Sequence, residues 1–154
     1  MSHARKFIRY FRSHRDVTLD LVRKMDEQNY HYKPTPTSMS AQELVTHMLT
    51  SFYRFAQAAK KGDSSPFKEK MENSEGNLTV LAEKMTSETI HMIESITDDE
   101  LNNEVDLSQV FGIKLTGRQL LKIAMDHEIH HKGNLFVYVR EMGHTDLPMY
   151  VKKV

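Results

Sequence analysis

Apolar side chains return every three or four residues through four long stretches of this chain, the spacing that gathers them on one face of an α-helix. The first stretch runs from about Ala4 to Glu27, with Phe7, Phe11, Thr18, Leu21 and Met25 along one stripe. The second opens at Ser40-Ala-Gln-Glu43, a capping box in which each side chain satisfies the other's unpaired backbone N–H, and it stops at Gly62. Leu44, His47, Met48, Ser51 and Phe55 make its stripe. The third spans about Asn77 to Ile96, with Leu78, Leu81, Met85, Met92 and Ile96 inward. The last starts at another capping box, Thr116-Gly-Arg-Gln119, ends near Gly143, and carries Leu120, Ala124, His127, His131 and Tyr138 on one face.

The segments between them read as connections. Pro34 and Pro36 fix φ and remove backbone donors, so no helix crosses Asn29–Met39. Polar residues from Gly62 to Pro66 lead into a short helical piece around Lys68–Glu72. Thr97-Asp-Asp-Glu100 begins a brief turn of helix, and Glu104–Leu115, with Gly112 in its middle, reads as loop or short hairpin. The expectation is an all-α fold, a four-helix bundle with long connections, as a single domain over residues 1–154. Connections of that length do not guarantee simple up-down topology.

Composition narrows the function. A chain of 154 residues can bury a core without staples. Lys+Arg 21 against Asp+Glu 21 gives no net charge, which argues against a globally basic nucleic-acid binder. No apolar run approaches the roughly 18 residues of a membrane span. Arg5, Lys6, Arg9, Arg12 and Arg15 come before any acid, as in a transit peptide. The helical stripe continues straight through them, however, so they belong to the first helix and the cytoplasm is the expected compartment. With no Cys, disulfides, thiolate metal sites and cysteine nucleophiles are all removed. Nine His direct attention to imidazole chemistry.

The sharpest motif is Asp126-His-Glu-Ile-His-His-Lys132. On a helix His127 and His131 stand four apart, roughly 5–6 Å between Cβ atoms, and can chelate one ion. His130 is rotated the other way. His47 is the natural third ligand, because it occupies the inward stripe of the second helix. Alone it would read as a hydrogen-bonded core histidine. Three such histidines on two core-facing stripes would need three separate polar partners, and one ion satisfies them all. Three neutral ligands leave coordination positions open, the catalytic rather than the structural pattern. Imidazole ligation suits Zn, Ni, Cu or Fe, and spacing does not choose among them.

Two competing metal readings exist. His127-Glu128-x-x-His131 matches H-E-x-x-H, with Glu128 as general base of a metalloprotease, although Asn134 stands where the extended pattern has Gly. Glu88-x-x-His91 and Glu128-x-x-His131 also fit the unit of a carboxylate-bridged di-iron bundle, but the other helices offer no matching buried Glu. His14 falls on the first helix's stripe and reads as a core polar residue, with substrate contact as the lesser option. Arg5, Arg9 and Arg12 read as a solvated basic edge, and the ten Met as core filler.

These residues resemble the DinB/YfiT-like family of metal-binding four-helix bundles. The resemblance covers nearly the whole chain: Tyr32-Lys-Pro34, Ser40-Ala-Gln-Glu-Leu-Val-Thr-His47, Thr116-Gly-Arg118, His127-Glu-Ile-His-His-Lys-Gly-Asn-Leu135 and Arg140-Glu-Met-Gly143. Lys132 and Asn134 stand where Arg and Gln are common. The family's triad maps onto His47, His127 and His131, with Glu128 or His130 at most supporting it. The resemblance implies a divalent-metal site, often a homodimer, and transfer or isomerisation using a low-molecular-weight thiol such as bacillithiol or mycothiol. The expected partner is a small-molecule substrate, with neither nucleic acid nor membrane. Hydrolysis by an ion-activated water, and non-catalytic metal binding linked to stress, are the alternative readings.

Overall fold

The computed structural model describes residues 1–71 and 76–154. Four long helices dominate it: α1 (His3–Arg23), α2 (Ala41–Lys61), α3 (Leu78–Glu94) and α5 (Gly117–Glu141). A short helix, α4 (Asp98–Asn102), and a hairpin of β1 (Glu104–Leu107) and β2 (Ile113–Thr116) join α3 to α5. The strands pair antiparallel, with Val105 opposite Leu115. The fold is all-α apart from this hairpin.

Local chemistry sets the helix ends. Ser40, Thr97 and Thr116 each close a capping box with the acid or amide three residues on. Gly62 ends α2 at φ 82°, a left-handed conformation that suits glycine. Gly117 is small for a different reason: a Cβ there would lie 2.9 Å from the Glu100 carbonyl oxygen, so its absence lets α5 start against α4.

Two boundaries differ from the sequence-based expectation. The stripe of α1 predicts helix to Glu27, but α1 stops at Arg23 and a separate 3-10 turn covers Glu27–Asn29. The chain bends at extended Asp26 while both Met25 and Tyr30 remain buried, an arrangement a straight helix could not keep. The helical piece expected around Lys68–Glu72 is a 3-10 turn at Ser65–Lys68, started by Pro66; Glu72 itself lies outside the described residues.

Helix neighbours are not in sequence order. α1 packs on α3 and α5, and α2 packs on the same two, so the consecutive helices α1 and α2 face each other across the bundle diagonal. Phe11 and Phe52 meet across that diagonal with ring centroids 4.6 Å apart. The long Lys24–Ser40 connection permits this crossing.

The apolar core divides in two. One cluster includes Leu21, Leu44, Leu49, Leu78 and Leu135; the other includes Phe11, Phe52, Ile93 and Leu121. Between them in sequence on the four helices lie Arg15, Ser51, Thr86 and Thr89, and Glu128 and His131. A polar belt therefore crosses the middle of the bundle. The candidate site is part of it.

Candidate metal centre

α2 and α5 bring His47, His127 and His131 together. Their candidate ligand atoms all lie within 4.8 Å of one another, and among the described residues this is the one such group of three. The ring centroids form a triangle of 4.8, 5.0 and 4.4 Å. Nε2 of His47 and Nε2 of His127 are 3.0 Å apart. Two nitrogens bound at roughly 2.0–2.1 Å to one ion stand about 3.0–3.4 Å apart, so this spacing fits a shared ion.

The protonation states fit as well. Burial lowers the pKa of His47. Burial and then the His47 charge lower that of His127. His131, 9% exposed, is pushed down to about 4, first by burial and then by the neighbouring imidazoles. All three therefore offer lone pairs at neutral pH, as a cation requires. Supporting groups hold the far side of two rings: Ser51 Oγ lies 3.3 Å from His47 Nδ1, and the Asn134 amide lies 3.4 Å from His131 Nδ1. Such partners orient a ring for ligation through its other nitrogen.

The mouth beside His131 is concave. Pro34, Thr37, Ser38, Met39, Asn134 and Tyr138 help to line a cavity of about 390 Å³ there. Tyr138 donates its hydroxyl to the Met39 carbonyl at 2.7 Å, which ties the connector before α2 to α5. His130 is exposed at the rim, its ring 4.9 Å from that of His131.

Glu128 corrects the expectations placed on it. Its carboxylate is fully buried and points to α1, where Arg15 Nε and Nη2 donate to it at 3.1 and 2.8 Å. Thr18 donates a third bond at 2.7 Å. Burial opposes its charge, but Arg15 and these hydrogen bonds outweigh that and hold the pKa below the ordinary carboxylate value. It is committed to this network, so it serves neither as a metalloprotease base nor as a support for the triad. The di-iron reading fails with it, because His91 is exposed and Glu128 is taken.

His14 is buried, and its Nδ1 accepts from Lys132 Nζ at 2.6 Å; it does not reach the triad's cavity as a lining residue. Lys132 also donates to the Tyr150 carbonyl, fixing the C-terminal segment against the bundle. Sequence reasoning passed over Arg15, naming it only among the basic residues that precede the first acid and giving it no role. The signal was present: Arg15 follows Phe11 by four and precedes Thr18 by three, which puts it on the inward stripe. Arg5, Arg9 and Arg12 are exposed as expected.

Comparison with known proteins gives the family and the fold. The DinB family model matches residues 1–154, and the chain belongs to that family. It is 52% identical to the Bacillus subtilis (strain 168) protein YjoA over 154 residues, covering both chains entirely. The crystal structure of that DinB-like protein superposes with a TM-score of 0.89 over 96% of this chain and 99% of the other. A DinB-like protein from Bacillus cereus ATCC 10987, at 16% identity, shares the fold with a TM-score of 0.72 over 93% and 94% of the two chains. Among the described residues no helix is long and apolar enough to cross a membrane.

Proposed function

We propose that this protein is a metal-dependent enzyme in which His47, His127 and His131 bind one divalent ion, zinc or nickel, and that it transfers a low-molecular-weight thiol to a small electrophile. The observation that carries this reading is the convergence of three imidazoles beside a cavity. When bound, the ion acts as a Lewis acid that lowers the pKa of a thiol at its open position.

The residues supply the rest. The neutral triad leaves the charge of the ion uncompensated, which favours an anionic sulfur donor. The chain has no cysteine, so the sulfur must arrive with a cosubstrate. The cavity at His131 offers the Thr37 and Ser38 hydroxyls and the Asn134 amide to a polar cosubstrate body. In the transfer, the sulfur forms a bond to an electrophilic carbon and the thiol proton goes to solvent. The leaving group departs with the electron pair of the broken bond. The cytoplasm keeps such thiols reduced and is the matching compartment. A homodimer is the proposed assembly.

Two measurements test this. Purified protein retains stoichiometric metal and His47→Ala does not; equal metal content in both removes the triad. A chromogenic electrophile is then incubated with and without added thiol and chelator. Turnover that needs both metal and thiol supports transfer, whereas turnover that needs metal alone assigns hydrolysis. No metal-dependent turnover leaves a non-catalytic metal-binding protein. Sedimentation of a single monomeric species would remove the dimer.

A further inference from the structure

The flank of the triad at His127 differs in kind from the cavity at His131. Phe55, two turns beyond His47 on α2, places its ring centroid 6.2 Å from that of His127. Phe67, from the 3-10 turn after α2, meets Phe55 edge-on at 5.3 Å and 71°. Phe111, from the β1–β2 turn, meets Phe67 at 5.2 Å and 85° and lies nearly parallel to Phe55, 6.3 Å away at 21°. A helix, a turn and a hairpin thus each send one ring to the same corner, and the imidazole of His127 borders it. Phe111 is 50% exposed although it sits among these rings. None of the three takes part in the metal chemistry proposed above.

We propose that the Phe55–Phe67–Phe111 corner is a specificity subsite that binds the planar, apolar group of a ligand whose electron-rich head sits at the triad. This rests on the reading of the triad as a metal site with open positions. A donor atom on that ion brings whatever it carries to within one ring's reach of His127. The faces and edges offered there suit an aromatic or flat unsaturated group, since rings gain most from edge-to-face and offset contacts at centroid separations of about 4.5–7 Å. The cavity on the other flank mixes Pro34, Met39, Leu44 and Val137 with Thr37, Ser38 and Asn134, whereas this corner presents phenyl rings alone. A second copy of this chain is a poorer occupant. The apolar side chains exposed on the hairpin are Val110, Phe111 and Ile113, with Ile123 exposed one turn before His127, against roughly 20–30 residues a side in a standard interface.

The test uses two probes with one metal-binding head, benzohydroxamate and acetohydroxamate, on the zinc-loaded full chain. Wild type is expected to bind benzohydroxamate about ten-fold more tightly. Phe111→Ala, and separately Phe55→Leu, should shrink that preference to about two-fold or less while zinc content and acetohydroxamate affinity stay as in wild type. Equal affinities in wild type, or a preference that survives both substitutions, overturns the subsite and leaves the metal reading standing. Zinc uptake no greater than in His47→Ala instead overturns the metal reading. The corner is then judged in metal-free protein by ring-current shifts of the Phe111 and His127 resonances with benzyl alcohol. Shifts lost in Phe111→Ala support it, and their absence in wild type overturns it. If Phe111→Ala turns a dimer into a monomer without changing the hydroxamate preference, the corner belongs to a second copy and the proposal fails.

Discussion

Two adjacent pairs on α5 face different helices and meet opposite fates. His127 and His131 turn toward α2 and meet His47, while Glu128 and Lys132, one residue later and about 100° round the axis, turn toward α1. On the α1 side every charge is answered. Glu128 accepts from Arg15 and Thr18, Arg15 also donates to Thr86 at 3.2 Å and lies 4.7 Å over the Phe11 ring, and Lys132 has His14 and the Tyr150 carbonyl. On the α2 side three imidazoles converge, and among the described residues their side-chain hydrogen-bond partners are each other, Ser51 and Asn134. A polar group whose partners are all supplied by the chain is part of the structure. A cluster that needs an outside partner to be satisfied marks a site. The H-E-x-x-H match joins two residues of the second sort, His127 and His131, to one of the first, Glu128, which is why its spacing misleads.

The comparison breaks first at Glu128. Glu128→Ala leaves the Arg15 guanidinium buried without its counter-ion and should cost about 3–5 kcal/mol in urea unfolding. A cost under about 1 kcal/mol would show that the α1 face is not the structural one. His127→Ala is the counterpart: it should abolish metal uptake yet change the stability of chelator-treated protein by no more than about 1 kcal/mol. Two apolar clusters already form the core without an ion, so chelation should leave the circular dichroism of a folded helical protein. Unfolding on chelation would make the triad structural after all.

A smaller effect is expected at the support behind His47. Ser51→Ala should weaken metal affinity about 10–100-fold with the fold intact, read by competition with a metal-sensitive dye. Lys132→Met removes the donor shared by His14 and Tyr150, leaves both acceptors unpaired, and should cost about 1–2 kcal/mol with metal content unchanged. A separate effect is on pH dependence. The His131 pKa lies near 4 in the folded chain against an ordinary 6.5, and His47, His127 and His14 shift the same way. Between those pH values the unfolded chain binds more protons, so metal-free stability is complete above about pH 6.5 and falls as pH drops toward 4. His131→Gln should flatten that slope; an unchanged slope would place the titrating groups elsewhere.

Periodicity and capping are local properties, and they are where reading the chain succeeded. The four long helices, the stops and starts at Gly62, Ser40 and Thr116, and the pairing of His127 with His131 at one turn's spacing all depend on residues within a few positions of each other. The place of His47 on an inward stripe was equally legible, because a helix face is set by its own sequence. What that stripe faces is a long-range matter. Only packing decided that α1 and α2 lie across a diagonal, that Arg15 meets Glu128, and that Phe55, Phe67 and Phe111 close on one corner beside His127. Sequence separation explains the difference: the Arg15–Glu128 pair spans 113 residues and the His47–His127 pair spans 80, distances over which no helical period carries information.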